Sequence, residues 1–182
     1  MSVLGKKMTY ETNVTPSEKL TTYSQIAFID KRLPDYETIV RNLAPNVRVF
    51  FLDENTSGLQ SILTTLSNGI IYDAIHLFSH GSEANLQLGD TYLNINTLNW
   101  TENQSSLEQI GAALKPGGDF FIYACDLAKG EDGLTFMSNL AQLTGGNVSA
   151  SNAATGASHL GGDWNLEVSA DASGNLSQPT PS

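Results

Sequence analysis

Cysteine is almost missing from this chain of 182 residues: there is one, Cys125. A single thiol excludes an internal disulfide and a zinc site built on several cysteines. It leaves either a small buried side chain or a reactive group. Basic residues are scarce as well. Nine Lys and Arg stand against nineteen Asp and Glu, a formal charge of −10. Such a surface repels phosphate backbones, which argues against a nucleic-acid partner. Long apolar runs are lacking too. The longest candidate, Ile70 to Phe78, is broken by Asp73 and His76. It falls well short of the roughly 18 residues that a membrane-spanning helix needs. The first twenty residues hold no apolar stretch of the signal-peptide kind. What remains is 40 % hydrophobic, enough for one core, so a wholly disordered chain is excluded.

Between polar ends the hydrophobic period keeps switching. Gln25–Asp30, Val47–Leu52, Ile71–Ser79 and Asp119–Ala124 are short, nearly continuous apolar runs, the pattern of strands buried on both faces. Helical spacing lies between them: Tyr36, Ile39, Val40 and Leu43, then Leu59, Ile62, Leu63 and Leu66, then Leu134, Met137, Leu140 and Ala141. A further helix is expected at about Ser105–Leu114, with Ser105 and Glu108 as a capping box. Leu86–Ile95 reads as a hairpin around Gly89-Asp90, Asn147–Ala150 as a fifth strand and Trp164–Val168 as a last one. Strands alternating with helices predict an α/β fold with a mainly parallel sheet and helices on both faces. The domain is expected over residues 25–168, after a loose leader (1–24) and before a linker-like tail (169–182) of small polar residues and Pro.

Sites in such sheets form at the carboxyl ends of strands. Two apolar runs end in reactive side chains there: Phe78-Ser79-His80-Gly81 and Tyr123-Ala124-Cys125-Asp126. If these strands are neighbours, the imidazole of His80 and the thiol of Cys125 face each other. That pairing suits nucleophilic catalysis by sulfur, because the thiolate is the reactive form and an imidazole can take and return its proton. Gly81 has no side chain to block approach. Its N–H, with that of Cys125, would form an oxyanion hole, a feature worth about 3–4 kcal/mol. Taken alone, each residue has a blander reading: Cys125 as a core thiol, His80 as a structural histidine. Their joint placement favours the chemistry. His76, two residues before Phe78, reads as packing, and His159 as exposed. Ser79 lacks the G-x-S-x-G setting of a serine hydrolase. Asp53–Gly58 copies half of an EF-hand loop, but Thr64 stands where the closing Glu belongs, so an Asx turn before a helix is the better reading.

A hydrophobic strand ending Ser-His-Gly, followed forty-five residues on by one ending Ala-Cys, resembles the caspase-like (clan CD) cysteine peptidases. These include caspases, metacaspases, gingipains, clostripain and separase. More narrowly, Phe28-Ile29-Asp30, Ala74–Gly81, Leu86–Gly89, Tyr123–Asp126 and Leu160–Leu166 are similar to an uncharacterised domain family of large bacterial surface and adhesin-like proteins. The resemblance implies a three-layer sandwich around a caspase-like sheet, with His80 as general base and acid and Cys125 as nucleophile. It implies a peptide or protein substrate, the parent chain included, and a secreted or cell-surface setting. A catalytically weak or inactive module for binding or assembly is the alternative, and a non-peptidase thiol enzyme such as an acyltransferase is a third. Asp126 stands where caspases carry Arg, Gln or Gly, so caspase specificity does not transfer. The substrate pocket is expected around Ser151 and the loop to Asp163, where a buried Asp126 or Asp163 would favour Arg or Lys. No cofactor or metal is expected, calcium is left open, and the oligomeric state is not readable.

Overall fold

Apolar runs too short and too continuous to be surface elements end up as the parallel centre of one sheet. The computed structural model describes residues 23–156, 158 and 161–178. Seven strands form the main sheet in the order β10-β9-β8-β7-β3-β1-β2. They are β1 (Gln25–Asp30), β2 (Val47–Leu52), β3 (Tyr72–Phe78), β7 (Leu114–Tyr123), β8 (Asn147–Ala150), β9 (Val168–Ala170) and β10 (Leu176–Ser177). The five from β2 to β8 are parallel, while β9 and β10 pair antiparallel at the edge. Three short strands, β4 (Gly81–Ser82), β5 (Asn85–Leu88) and β6 (Thr91–Asn94), make a separate antiparallel sheet.

Helices cover both faces, as expected. One face carries Ile26, Phe28, Ile75, Leu77, Phe120, Ile122, Val148 and Ala150. It packs against α2 (Gly58–Leu66), α3 (Thr101–Gly111) and α4 (Gly130–Thr144). The other carries Ala27, Ile29, Val47 and Phe78 and packs against α1 (Tyr36–Asn42). The uneven split follows from the strand order. The β1–β2 connection steps one way along the sheet, and the connections from β2 to β3, β3 to β7 and β7 to β8 step the other way. Right-handed crossovers then put α1 on one face and the later helices on the opposite one. The face carrying α1 alone has room for a cleft beside β3 and β7.

Local signals placed several elements correctly. Ser57 caps α2 by accepting from the Gln60 N–H at 3.3 Å, and Asp53 accepts from the Asn55 N–H at 2.7 Å, the expected Asx turn. Gly145, at φ 68°, ends α4. The hairpin turns at Gly89, where a positive φ of 59° and a carbonyl of Thr56 2.1 Å from any added Cβ exclude a side chain.

Four expectations are corrected. The third large helix begins at Thr101, so Ser105 lies inside it and caps nothing; the polar stretch before Ser105 hid its first turn. β7 begins at Leu114 rather than Asp119, because Lys115–Gly118 bulge out against Asp73 before the ladder resumes at Ala74↔Asp119. The last expected strand is Val168–Ala170 and not Trp164–Val168. The segment read as a tail from 169 supplies sheet strands as far as Ser177, because sheet pairing does not require apolar composition. The leader read over 1–24 lies outside the described residues as far as residue 22, and His159 lies outside them as well.

Candidate active site

Strand order creates the site. β1 has β2 on one side and β3 on the other, so the chain departs from β1 in both directions and a crevice opens at the carboxyl ends of β1 and β3. β7 continues the same rim. β3 and β7 run in register up to Phe78↔Tyr123, and the Ser79 N–H carries the ladder on by donating to the Tyr123 carbonyl at 3.2 Å. His80 and Cys125 each follow two residues beyond the Phe78↔Tyr123 pair. Both line one cleft of about 870 Å³.

The approach to Cys125 is set by backbone. Its half-buried thiol donates to the carbonyl of Thr155 and accepts from the N–H of Thr155, each at 3.4 Å. Thr155 belongs to a loop folded back on itself, with the Gly156 N–H donating to the Asp163 carbonyl at 2.8 Å. Asp126 follows the thiol in the left-handed region at φ 53°. That conformation costs about 1–2 kcal/mol in a residue with a side chain, least for Asp and Asn. It is held by the Asp126 N–H donating to the Ala153 carbonyl at 2.9 Å and by a 3.3 Å ion pair with Lys129.

Gly81 lies against the same turn. A Cβ there would fall 2.8 Å from the Ala124 Cβ and 3.2 Å from the Cys125 carbonyl oxygen, so only glycine permits the approach. The Gln87 N–H donates to the His80 carbonyl at 3.0 Å, which makes Gly81↔Leu86 a non-hydrogen-bonded pair. In such a pair the N–H points away from the partner strand. Ser79 is buried and its hydroxyl donates to the Gln87 carbonyl, so it anchors the chain just before His80 and is no free nucleophile.

Asp30 and Arg32 complete the crevice. Asp30 ends β1 with 1 % of its side chain exposed. Its carboxylate accepts from the Arg32 backbone N–H at 2.8 Å and from Arg32 Nε at 3.0 and 3.1 Å; Arg32 Nη2 also reaches the Gly89 carbonyl at 3.1 Å. Burial alone would push the Asp30 carboxyl up. The bonds and charge of Arg32, with a further contribution from His80, outweigh it and hold the carboxyl below its ordinary value. The sequence showed this acid at the end of an apolar run but gave no reason to pair it with Arg32 or to set it near His80.

The cleft wall is largely apolar. Phe78 and Tyr123 stack with ring centroids 4.4 Å apart, and Trp164 meets each of them edge-on at 6.0 Å. Leu33, Pro34, Ile39 and Leu43 form the opposite side. Burial pushes the Tyr123 phenol up from its ordinary value, so the ring sits there neutral. Of the residues singled out from sequence for a substrate pocket, Asp126, Ser151 and Asp163 do not line this cleft, whereas Ala154, Thr155, Gly156 and Gly162 of the loop to Asp163 do. Ser151 is buried and donates to Glu167 at 2.9 Å, Asp126 pairs with Lys129, and Asp163 is exposed and accepts from the Asn165 N–H at 2.9 Å. No group of three or more metal-ligating side chains occurs among the described residues. His76 packs as expected: its Nε2 is 2.7 Å from Gln25 Oε1 and its ring stacks on Phe121 at 5.1 Å.

A family model described as "Domain of unknown function (DUF4347)" matches residues 26–180. No curated protein matches the chain. Among solved structures it is similar to caspase-1 from Spodoptera frugiperda, at 17 % identity over 57 % of this chain and 49 % of that one, with a TM-score of 0.32. It is also similar to a short chain dehydrogenase family protein from Francisella tularensis subsp. tularensis SCHU S4, at 12 % identity over 66 % of this chain and 61 % of that one, with a TM-score of 0.31. The chain thus spans about half of the caspase and under two thirds of the dehydrogenase. At these scores neither likeness bears on the chemistry.

Proposed function

The chain belongs to this DUF4347 family of unknown function, and we propose that its domain is a cysteine peptidase worked by Cys125 and His80. The observation that carries the reading is the β3–β7 register, which sends both side chains to the rim of one cleft. The thiol proton passes to His80, and the sulfur attacks a peptide carbonyl carbon, forming a C–S bond. The oxyanion is met by the N–H groups of Gly81 and Cys125. His80 then gives its proton to the amine nitrogen as the C–N bond breaks. Water, deprotonated by His80, attacks the thioester, the C–S bond breaks and the thiol is restored. The charge of His80 is among the influences that hold the buried Asp30 carboxyl low, so Asp30 stays ionised near the pair. The parent chain is the proposed natural substrate, in a large exported or surface protein.

One observation favours the second reading, a binding or assembly module with little catalysis. The thiol is engaged by both backbone groups of Thr155, so it must leave them before His80 can take its proton. Incubation of wild type, Cys125→Ala and His80→Ala with a thiol-directed peptidyl probe and with flanking segments of the parent chain separates the two. Labelling and cleavage lost in both variants support the peptidase. Equal inertness of all three supports the module.

A further inference from the structure

Resting on the peptidase reading, we infer that the substrate is a peptide with a bulky apolar side chain, aromatic or leucine-like, on the residue that carries the scissile carbonyl. Phe78 stands two residues before His80 and Tyr123 two before Cys125. At about 3.3 Å per residue, their stacked rings lie about 7 Å behind the reacting pair. That depth suits a side chain hanging from the carbonyl under attack. Trp164, 46 % exposed, closes one side of this position edge-on, and Ile39 of α1 and Leu43 just beyond it line the cleft as well. Among the described residues, none places a counter-ion at the rings for a charged side chain in this position. The carboxylate lining the cleft is Asp35, exposed at the start of α1, and the carboxylates of Asp126 and Asp163 are not on the lining of described residues. An arginine or aspartate there would lose its water without recovering an ion pair, whereas a phenylalanine or leucine would exchange water for ring contact.

Cys125 is the only thiol, so any thiol label reports on it. The test uses acyloxymethyl ketone probes of one peptide scaffold with Phe, Leu, Asp or Arg at the terminal position. In each, the thiolate forms a C–S bond and the carboxylate departs. The Phe and Leu probes are expected to label the full chain at least about tenfold faster than the Asp and Arg probes. Trp164→Ala, read as the Phe-to-Arg ratio within that one variant, is expected to lose most of the preference. Asp or Arg probes matching or beating the apolar ones overturn the inference and leave the peptidase standing. The same holds for a ratio untouched by Trp164→Ala. If iodoacetamide alkylates Cys125 but no peptidyl probe reacts faster in wild type than in His80→Ala, the peptidase reading itself fails. An aliphatic acyl thioester that acylates Cys125 in preference to every peptide probe overturns the peptide substrate in favour of a fatty acyl group.

Discussion

Phe78 and Tyr123 are partners in the β3–β7 ladder, and their rings lie parallel, 4.4 Å apart with 6° between planes. The contact locks the relative height of the two strand ends. His80 and Cys125 lie two residues beyond it, and Gly81 packs against Ala124 and Cys125.

Gly81→Ala tests the closeness of that turn. The new Cβ meets the Ala124 Cβ at 2.8 Å, a contact that must be relieved by moving the His80–Ser82 segment outward. The variant is expected to lose about 1–3 kcal/mol of stability in urea unfolding. Its peptidyl-probe labelling is expected to fall by about a hundredfold, the effect of losing one oxyanion donor. Unchanged labelling would remove Gly81 from the proposed mechanism.

Asp30 and Arg32 predict the acid limb of stability. The carboxyl is held low in the folded chain, so the unfolded chain binds more protons as pH falls through the ordinary value near 3.8. The stability this group contributes is present above that value and is lost as pH falls through the lower folded one. Arg32→Met removes the guanidinium and leaves the buried carboxylate the backbone N–H of residue 32. The variant is expected to be about 3 kcal/mol less stable at neutral pH. It should also lose much of this part of the acid limb, because burial is then opposed by the backbone N–H and His80 without the guanidinium. Urea midpoints between about pH 2 and pH 7 measure both effects.

His76 acts in a higher window. Burial pulls its imidazole below the ordinary value of 6.5, and attraction to Asp119 only partly offsets this. Below 6.5 the unfolded chain takes up the proton before the folded one does, so stability falls as pH drops through 6.5 toward the lower folded value. His76→Gln is expected to flatten the stability profile between about pH 7 and pH 5 while leaving the dependence due to Asp30 in place. A wild-type profile already flat across that interval would contradict the assignment.

Ser79→Ala removes the buried hydroxyl that donates to the part-buried Gln87 carbonyl. The expected cost is about 1–3 kcal/mol, that of stranding such an acceptor. Because the bond ties the segment before His80 to β5, peptidyl-probe labelling is expected to slow more than iodoacetamide alkylation. Equal slowing of both reactions would indicate a loss of fold alone.

The parallel core was readable because burial on both faces forces continuous apolar runs such as Ile71–Ser79. The helices were readable where a full apolar face repeats, as in Leu134–Ala141. α3 was misplaced because its first turn, Thr101–Gln104, shows solvent a polar surface with no period to read. β9 was placed too early and β10 was missed because edge pairing rests on backbone groups, which every residue other than proline carries in full.

The sequence by itself determined that a histidine and the lone cysteine each end a buried strand, because strand ends are marked by local composition. Only the tertiary structure decided that those strands are neighbours, that Arg32 reaches the Gly89 carbonyl, and that Trp164 leans over the rings of Phe78 and Tyr123. Each of those facts depends on crossovers and on contacts between residues far apart in the chain, and these depend on the direction each connection takes across the sheet rather than on any local pattern of residues.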